Sequence, residues 1–225
     1  VIAYPGCEPG NHDNRKAKDV ETGELEQVEI GSREATTDLL CFLFVGKGYR
    51  MKGLDVLLSA CRILKKRDFR FKLHVVGMSA KPIDILRLRF LGLLDCVEYR
   101  GYVDDMPREF ALCKAIVTPS RLDSFGMAPL EAMQYGLVPV VGRNSGIAET
   151  IESEKNGLVL QDHLDAKELA NLMGKLLSDR ELLKVLSNGA RAKAAEFTWE
   201  KTADATLDAY RLALASGAGR STKKA

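Results

Sequence analysis

Short apolar runs alternate with longer segments of helical periodicity along this chain, and this alternation limits the folds that it can adopt. Six of the runs have the length and composition of strands, at residues 39–45, 71–77, 97–101, 115–118, 138–141 and 158–160. Strands separated by helices are joined by right-handed crossovers into a parallel sheet, which the helices cover on both faces. We therefore predict an α/β fold, a Rossmann-like three-layer αβα domain with a six-stranded parallel sheet.

The segments around this alternating region have a different character. Residues 1–38 are charged and rich in turn formers, which predicts a connecting loop, and capping-box spacing at Asp165/Glu168 and Ser178/Glu181 predicts two helices. A third helix is expected after Thr198. We expect core packing from its apolar stripe of Trp199, Ala203, Leu207, Tyr210 and Leu214, with contact to a partner as the alternative. The predicted divisions are 1–38, 39–198, a closing helix at 199–215 and a disordered tail at 216–225.

Charge and hydropathy exclude several classes of partner. The 33 basic and 31 acidic residues leave a net charge of +2, which provides no broad positive field for nucleic acid. No apolar run reaches the ~18 residues that a membrane span requires. The amino end has no signal-peptide pattern and no initiator Met, so we expect a cytoplasmic fragment of a longer chain.

The five cysteines are scattered, without a Cys-x-x-Cys pair or a group of neighbouring histidines. Most lie within or beside apolar runs, where a free thiol packs as a small hydrophobic group in a reducing compartment. His74 falls inside the second predicted strand and is expected to be a core or edge residue. The spacing therefore predicts no metal site.

The most informative stretch runs from Ser120 to Glu131, between a predicted strand and a predicted helix. Its loop opens at a strand's carboxyl end, where open α/β sheets bind ligands, and the helix start offers unpaired amides to phosphate. Asp123 and Glu131 lie on either side of this turn. Carboxylates accept hydrogen bonds, so their expected partners are the hydroxyl groups of a ribose and a sugar. Solvated surface charges are the alternative for both residues.

A second glycine-rich turn, residues 46–53, follows the first predicted strand and precedes a helix with Lys47, Arg50 and Lys52 beside its start. Glycine lets the backbone approach a ligand closely, and a diphosphate is the expected ligand of this turn. The turn lacks the Gly-Lys-Ser/Thr of a P-loop and the third glycine of a dinucleotide fingerprint. Solvated surface lysines are again the alternative.

An ordered series of short sequence motifs resembles the GT4-type retaining glycosyltransferases of the GT-B fold. These motifs are Phe44–Lys47 with Lys52–Gly53, Val76–Gly77, Gly101–Val103, Pro119–Ser120, Asp123–Gly126 with Glu131–Met133, Gly136–Val141, Asn156–Gly157 and Phe197–Glu200. The resemblance covers about residues 39–212, and Val1–Gly6 looks like the segment that enters this domain from an amino-terminal one. It implies the C-terminal, donor-binding half of a two-domain enzyme, most like transferases of lipopolysaccharide core assembly.

The resemblance also implies a role for each matching residue. Lys47 and Lys52 match the basic pair on the diphosphate, and Tyr102 and Val103 match the turn that contacts the base. Asp123 matches the first acid of the motif that holds the transferred sugar. Gly46 belongs to the diphosphate turn; Glu131 matches the glutamate on the ribose; and Phe125, Gly126, Met127 and Ala128 line the donor, the last three through backbone amides. The catalytic set is then Lys47, Lys52, Asp123 and Glu131. Most members of the family have Arg at the position of Lys47 and Glu at the position of Asp123.

The implied reaction is transfer of a hexosyl group, with retention, from a nucleotide diphosphate sugar to a glycan or lipid acceptor. No cofactor or metal is expected, since the family needs none and no Asp-x-Asp pair lies beside the site. Among UDP, GDP and ADP a UDP-sugar is the expected donor, and membrane association is at most peripheral, at the inner face. The alternatives are a non-catalytic nucleotide-sugar-binding module and a nucleotide-sugar epimerase.

Overall fold

The computed structural model describes residues 39–218, with side chains up to residue 215, and it confirms the predicted α/β fold. The six strands are β1 (Cys41–Val45), β2 (Lys72–Val76), β3 (Val97–Gly101), β4 (Ala115–Thr118), β5 (Val138–Gly142) and β6 (Leu158–Leu160). They form one sheet in the order β3-β2-β1-β4-β5-β6, and every neighbouring pair is parallel. Each predicted strand lies within two residues of its observed bounds.

Seven helices connect and cover the strands of the described region: α1 (Leu54–Lys66), α2 (Pro82–Leu91), α3 (Met106–Leu112), α4 (Met127–Gln134), α5 (Ala166–Ser178), α6 (Arg180–Ala194) and α7 (Trp199–Ala218). The expected short helix after β5 is a 3-10 turn, Gly146–Thr150. Helix α2 ends three residues before the predicted Leu94, because Gly92 takes the left-handed conformation at φ 71° and stops the helix. Asp179 rather than Ser178 caps α6, its carboxylate accepting from the Leu182 amide.

The sheet divides the apolar core into two layers, because alternate residues of each strand point to opposite faces. One layer packs Phe42, Phe44 and the apolar faces of α1 and α5 together. The other places Leu43 and Ile116 against α3 and α4. Both faces are therefore buried, as the continuous apolar sequence of the strands requires.

Helix α7 corrects one prediction. Its stripe is predicted to pack in the core, yet Trp199, Leu207, Tyr210 and Leu214 are 50–75% exposed. The helix also continues to Ala218, beyond the predicted start of the tail. The periodicity indicates an amphipathic helix but does not say what covers its apolar face. The predictions for residues 1–38 and 219–225 lie outside the described residues.

The strand order fixes where a ligand site can form. The chain moves outward in one direction from β1 to β2 and β3, and in the other from β4 to β5 and β6. The loops after β1 and β4 consequently diverge and leave a crevice between them at the carboxyl end of the sheet, the usual ligand position in open α/β sheets. None of the helices between residues 39 and 218 combines the length and apolar character needed to cross a bilayer.

Candidate functional site

The first wall of the crevice is the glycine-rich loop after β1, residues 46–53. Gly53 has φ 77°, and a Cβ at this position would lie 2.0 Å from the Pro119 carbonyl oxygen. Only glycine allows this loop to pack so closely on the segment that leaves β4. The Gly46 amide donates to the Val76 carbonyl at 3.0 Å, which joins the start of the loop to the end of β2. The backbone that carries Lys47 and Lys52 is thus held from both sides.

The second wall is the loop after β4, which leads into α4. Gly126 is the residue before the helix, with φ 98°, and a Cβ there would lie 2.8 Å from the Ser145 hydroxyl oxygen. That hydroxyl donates to the Phe125 carbonyl at 3.0 Å, and the Ile147 amide donates to the same oxygen at 2.6 Å. The loop after β5 therefore supports this turn from behind. The Met127 and Ala128 amides begin α4, where helix geometry leaves them without an intrahelical acceptor.

Lys52 and Asp123 join the two walls directly. The Lys52 Nζ atom donates to Asp123 Oδ2 at 2.7 Å, and the two side chains are 33% and 16% exposed. The Asp123 backbone is fixed as well, because its amide donates to the Asn144 carbonyl and its carbonyl accepts from the Gly146 amide. The expected phosphate ligand and the expected sugar ligand thus form an ion pair across the crevice of the free protein.

Lys47 faces a different wall. Its ammonium lies 5.2 Å from the centroid of the Tyr102 ring, in the loop after β3, which is a cation–π distance. Both side chains border an open cavity of about 760 Å³ that also reaches Arg50, Met78 and Arg87. The two lysines of one loop therefore point to opposite sides of the site. This arrangement leaves room between them for an extended ligand.

Glu131 lies one turn into α4 and is exposed to solvent. The surrounding protein nonetheless partly removes its carboxyl from water, and this desolvation raises the pKa of Glu131 above its ordinary value. Among the described residues no hydrogen bond or ion pair satisfies this carboxylate. Glu131 is therefore available to accept hydrogen bonds from the hydroxyl groups of a ligand.

Two of the expected donor-binding residues, Phe125 and Val103, pack their side chains against the apolar core. Phe125 is 8% exposed, and its ring packs 6.0 Å from the ring of Phe197, between centroids. Val103 is half-buried against the apolar layer on α3 and α4. For Phe125 the side chain is part of the core, so only its backbone can face the crevice.

Arg121 is a residue of this site that the sequence did not single out. Its guanidinium forms a bidentate pair with Asp55 at 2.9 and 2.7 Å and donates to the Arg50 carbonyl, while its amide donates to the Met51 carbonyl at 3.0 Å. Burial alone would raise the pKa of Asp55, but hydrogen bonding to Arg121 brings that pKa below its ordinary value. Arg121 thereby connects the lysine-bearing loop to the Asp123 loop. No local motif marks this role, because its partners lie about 70 residues away.

Comparison with protein families identifies relatives of this chain. Residues 28–193 match the family described as "Glycosyl transferases group 1". The D-inositol 3-phosphate glycosyltransferase of Saccharomonospora viridis is 30% identical over 216 residues, which cover 87% of this chain and 50% of that protein. The chain thus spans about half the length of this relative.

Solved structures share the fold. The sucrose-phosphate synthase of Thermosynechococcus elongatus superimposes with a TM-score of 0.68 and 26% identity, over 80% of this chain and 46% of that one. HepE of Anabaena, solved in complex with UDP and glucose, gives a TM-score of 0.67 and 21% identity, over 77% of this chain and 48% of its own. In both, the similarity covers about half of the solved chain.

Proposed function

The chain belongs to the glycosyl transferases of group 1, and from this premise we propose that residues 39–198 form the nucleotide-sugar-binding domain of a retaining hexosyltransferase. The observation that carries the proposal is the Lys52–Asp123 contact across the crevice, with the start of α4 beside it. A cation, a carboxylate and free helix amides are the groups that a diphosphate joined to a sugar requires. Chains of the same fold include one that binds UDP and glucose.

In this proposal the diphosphate lies between the glycine-rich loop and the start of α4. Lys47 and Lys52 approach it from opposite sides, and the Met127 and Ala128 amides point to it along the helix axis. When the bond to the sugar breaks, negative charge develops on the diphosphate. Fixed positive groups directed at that charge stabilise the transition state more than the ground state, which is commonly the largest catalytic contribution.

The remaining donor groups follow from the same placement. Glu131 accepts hydrogen bonds from the ribose hydroxyls, and the turn at Tyr102 and Val103 borders the base. Asp123 orients the hydroxyl groups of the transferred sugar once Lys52 engages the diphosphate. A uridine base is the proposed choice, which agrees with the UDP bound by HepE. No separate cofactor is required in this arrangement.

The acceptor is a glycan or a lipid in this proposal, bound by a domain outside the described residues. Two observations support a further domain: the chain spans half of its relative's length, and α7 exposes its apolar stripe. We infer that the closing helix, residues 199–215, packs on that domain and that residues 1–38 lead from it. A cytoplasmic enzyme with at most peripheral membrane contact, acting in lipopolysaccharide or polysaccharide assembly, is the proposed setting.

A binding module without transfer, or an epimerase, would use a similar donor pocket. Family membership favours transfer over both, and two assays separate them. Thermal-shift and calorimetric titration of this chain with UDP, GDP and ADP should show binding, with UDP preferred. Incubation with a UDP-hexose should yield neither an epimerised sugar nor transfer, whereas the complete protein should transfer the hexose to a glycan or lipid acceptor. Absence of binding to all three nucleotides would overturn the donor-domain assignment, and epimerised product would overturn the reaction.

A further inference from the structure

A group of thiol and imidazole side chains lies at the other end of the sheet from the crevice. Cys41 is the first residue of β1, His74 is the middle residue of β2, and Cys113 directly follows α3, just before β4. The Cys41 and Cys113 sulfur atoms are 3.3 Å apart, and Cys113 Sγ is 3.9 Å from His74 Nδ1. All three potential ligand atoms lie within 4.8 Å of one another. The residues are far apart in sequence, so their spacing did not predict the group.

A buried carboxylate lies beside the group. Glu109 of α3 is 2% exposed, and its Oε2 atom lies 3.0 Å from His74 Nδ1. Arg100 donates to the other oxygen, Oε1, through Nε at 3.2 Å and Nη2 at 3.0 Å. The guanidinium therefore fixes the carboxylate with Oε2 directed at the imidazole. The second imidazole nitrogen, Nε2, lies 3.9 Å from Glu98 Oε2.

Two of the separations in the group, between the two sulfur atoms and between Cys113 Sγ and His74 Nδ1, are close to those between the ligands of one tetrahedral ion. With metal–sulfur bonds of about 2.3 Å and metal–nitrogen bonds of about 2.0–2.1 Å, two sulfur ligands lie about 3.8 Å apart and a sulfur and a nitrogen about 3.6 Å apart. The observed 3.3 and 3.9 Å lie within 0.5 Å of these values. A small outward movement of one thiol would fit such an ion.

From this geometry we propose that Cys41, His74 and Cys113 form a structural site for Zn²⁺, with Glu109, which lies beside His74 but outside this group of three, moving toward the sulfur atoms as the fourth ligand. Two thiolates and an imidazole suit Zn²⁺ among the divalent ions. Glu98 lies on the side of the free imidazole N–H, and Arg100 would hold the ligating carboxylate, as outer partners of metal sites do. The apolar neighbours Leu43, Val76, Phe110 and Ile116 shield the group from water. The ion would link β1, β2, α3 and the start of β4.

Two other buried thiols provide a matched comparison. Cys61 and Cys96 belong to the other apolar layer, and the Cys96 thiol donates to the Leu93 carbonyl. Neither belongs to a metal-ligand group among the described residues. They show how cysteines that serve only as small core groups are placed in this protein, and Cys96→Ser is the control variant.

The first test titrates Co²⁺ into the reduced full chain after removal of metals by a chelator, followed by competition with Zn²⁺. One equivalent should give thiolate-to-cobalt charge-transfer absorption and the visible bands of tetrahedral cobalt, and Zn²⁺ should abolish both. Cys41→Ser and Cys113→Ser should lose more than about 100-fold in affinity, since even outer-shell partners contribute about 10–100-fold. Cys96→Ser should match the parent. Circular dichroism verifies that each variant is folded.

The second test needs no variant of the cluster. Zn²⁺ should protect Cys41 and Cys113 of the unaltered chain from a maleimide, as mapped by peptide mass spectrometry, and should raise the melting temperature. Equal labelling of both cysteines with and without Zn²⁺ would overturn the assignment, and so would, in the first test, a cobalt spectrum that persists in Cys113→Ser. A Cys41–Cys113 disulfide in a chain that shows no cobalt spectrum after reduction would also overturn it and identify a redox pair.

Discussion

Substitution of Lys52 is the most informative perturbation of the donor site, because this lysine is already paired in the free protein. Its ammonium lies 2.7 Å from Asp123 Oδ2, and both side chains retain access to solvent. A partly exposed pair of this kind is worth up to about 1 kcal/mol. A hydrogen bond from Lys52 to a diphosphate is worth about 1.5–3 kcal/mol. Loss of the second interaction should therefore exceed loss of the first.

The difference sets the expected size of the effect. Lys52→Ala removes the proposed phosphate contact and also the pair that competes with it, so UDP binding should weaken by about 0.5–2 kcal/mol, or about 2- to 30-fold in Kd. The free energy of unfolding should change by less than about 1 kcal/mol, because the pair is partly exposed.

Asp123→Asn should change UDP affinity in the opposite direction, and it serves as the matched control. It frees Lys52 and removes a negative charge near the diphosphate, so UDP should bind up to about fivefold more tightly. A UDP-hexose should bind less tightly, since the amide replaces an acceptor of the sugar hydroxyls. In the Asp123→Asn background, Lys52→Ala should cost the full ~1.5–3 kcal/mol in UDP binding.

Isothermal titration calorimetry of the four proteins with UDP and UDP-glucose measures these differences, with urea unfolding as the stability control. Equal UDP affinity for the parent and Lys52→Ala would refute the role of Lys52 at the diphosphate. Equal losses of UDP and UDP-glucose binding in Asp123→Asn would remove Asp123 from the sugar pocket.

Three further substitutions test the surrounding architecture. Partial desolvation of the carboxyl raises the pKa of Glu131 in the folded state. The contribution of this group to the free energy of unfolding is therefore present below its ordinary pKa of about 4.3 and is lost as the pH rises through the folded pKa. UDP affinity should rise over that window and be flat in Glu131→Gln; parallel pH profiles for both proteins would contradict this. Gly53→Ala should destabilise the fold by about 3 kcal/mol or more in urea unfolding, because its Cβ would meet the Pro119 carbonyl at a positive φ, and a loss under about 1 kcal/mol would refute it. Arg121→Lys loses the bidentate contact with Asp55 and should weaken UDP binding about three- to tenfold with little loss of stability; unchanged affinity would contradict its positioning role.

The alternation of apolar runs with helical segments determines most of the fold by itself. Strand identity depends on local apolar runs, and parallel pairing follows from the helices between them, so both can be derived from neighbouring residues. Element ends are harder to predict, since a single residue decides them: Gly92 stops α2 early and Asp179 caps α6. The two loops that border the crevice are likewise predicted from glycines and charges within a few residues.

The side-chain contacts within those loops cannot be predicted from local sequence, because they join residues that are distant in sequence. The 71 positions that separate Lys52 from Asp123 carry no local signal that the two will pair, and the same holds for Arg121 and Asp55. The sequence also misassigns the apolar stripe of α7, since periodicity gives the face of a helix but not its cover. Scattered cysteines predict only core packing, yet β1, β2 and the end of α3 bring two of them beside His74. Local sequence determines the elements because backbone preferences are local, whereas tertiary packing decides which side chains share a site.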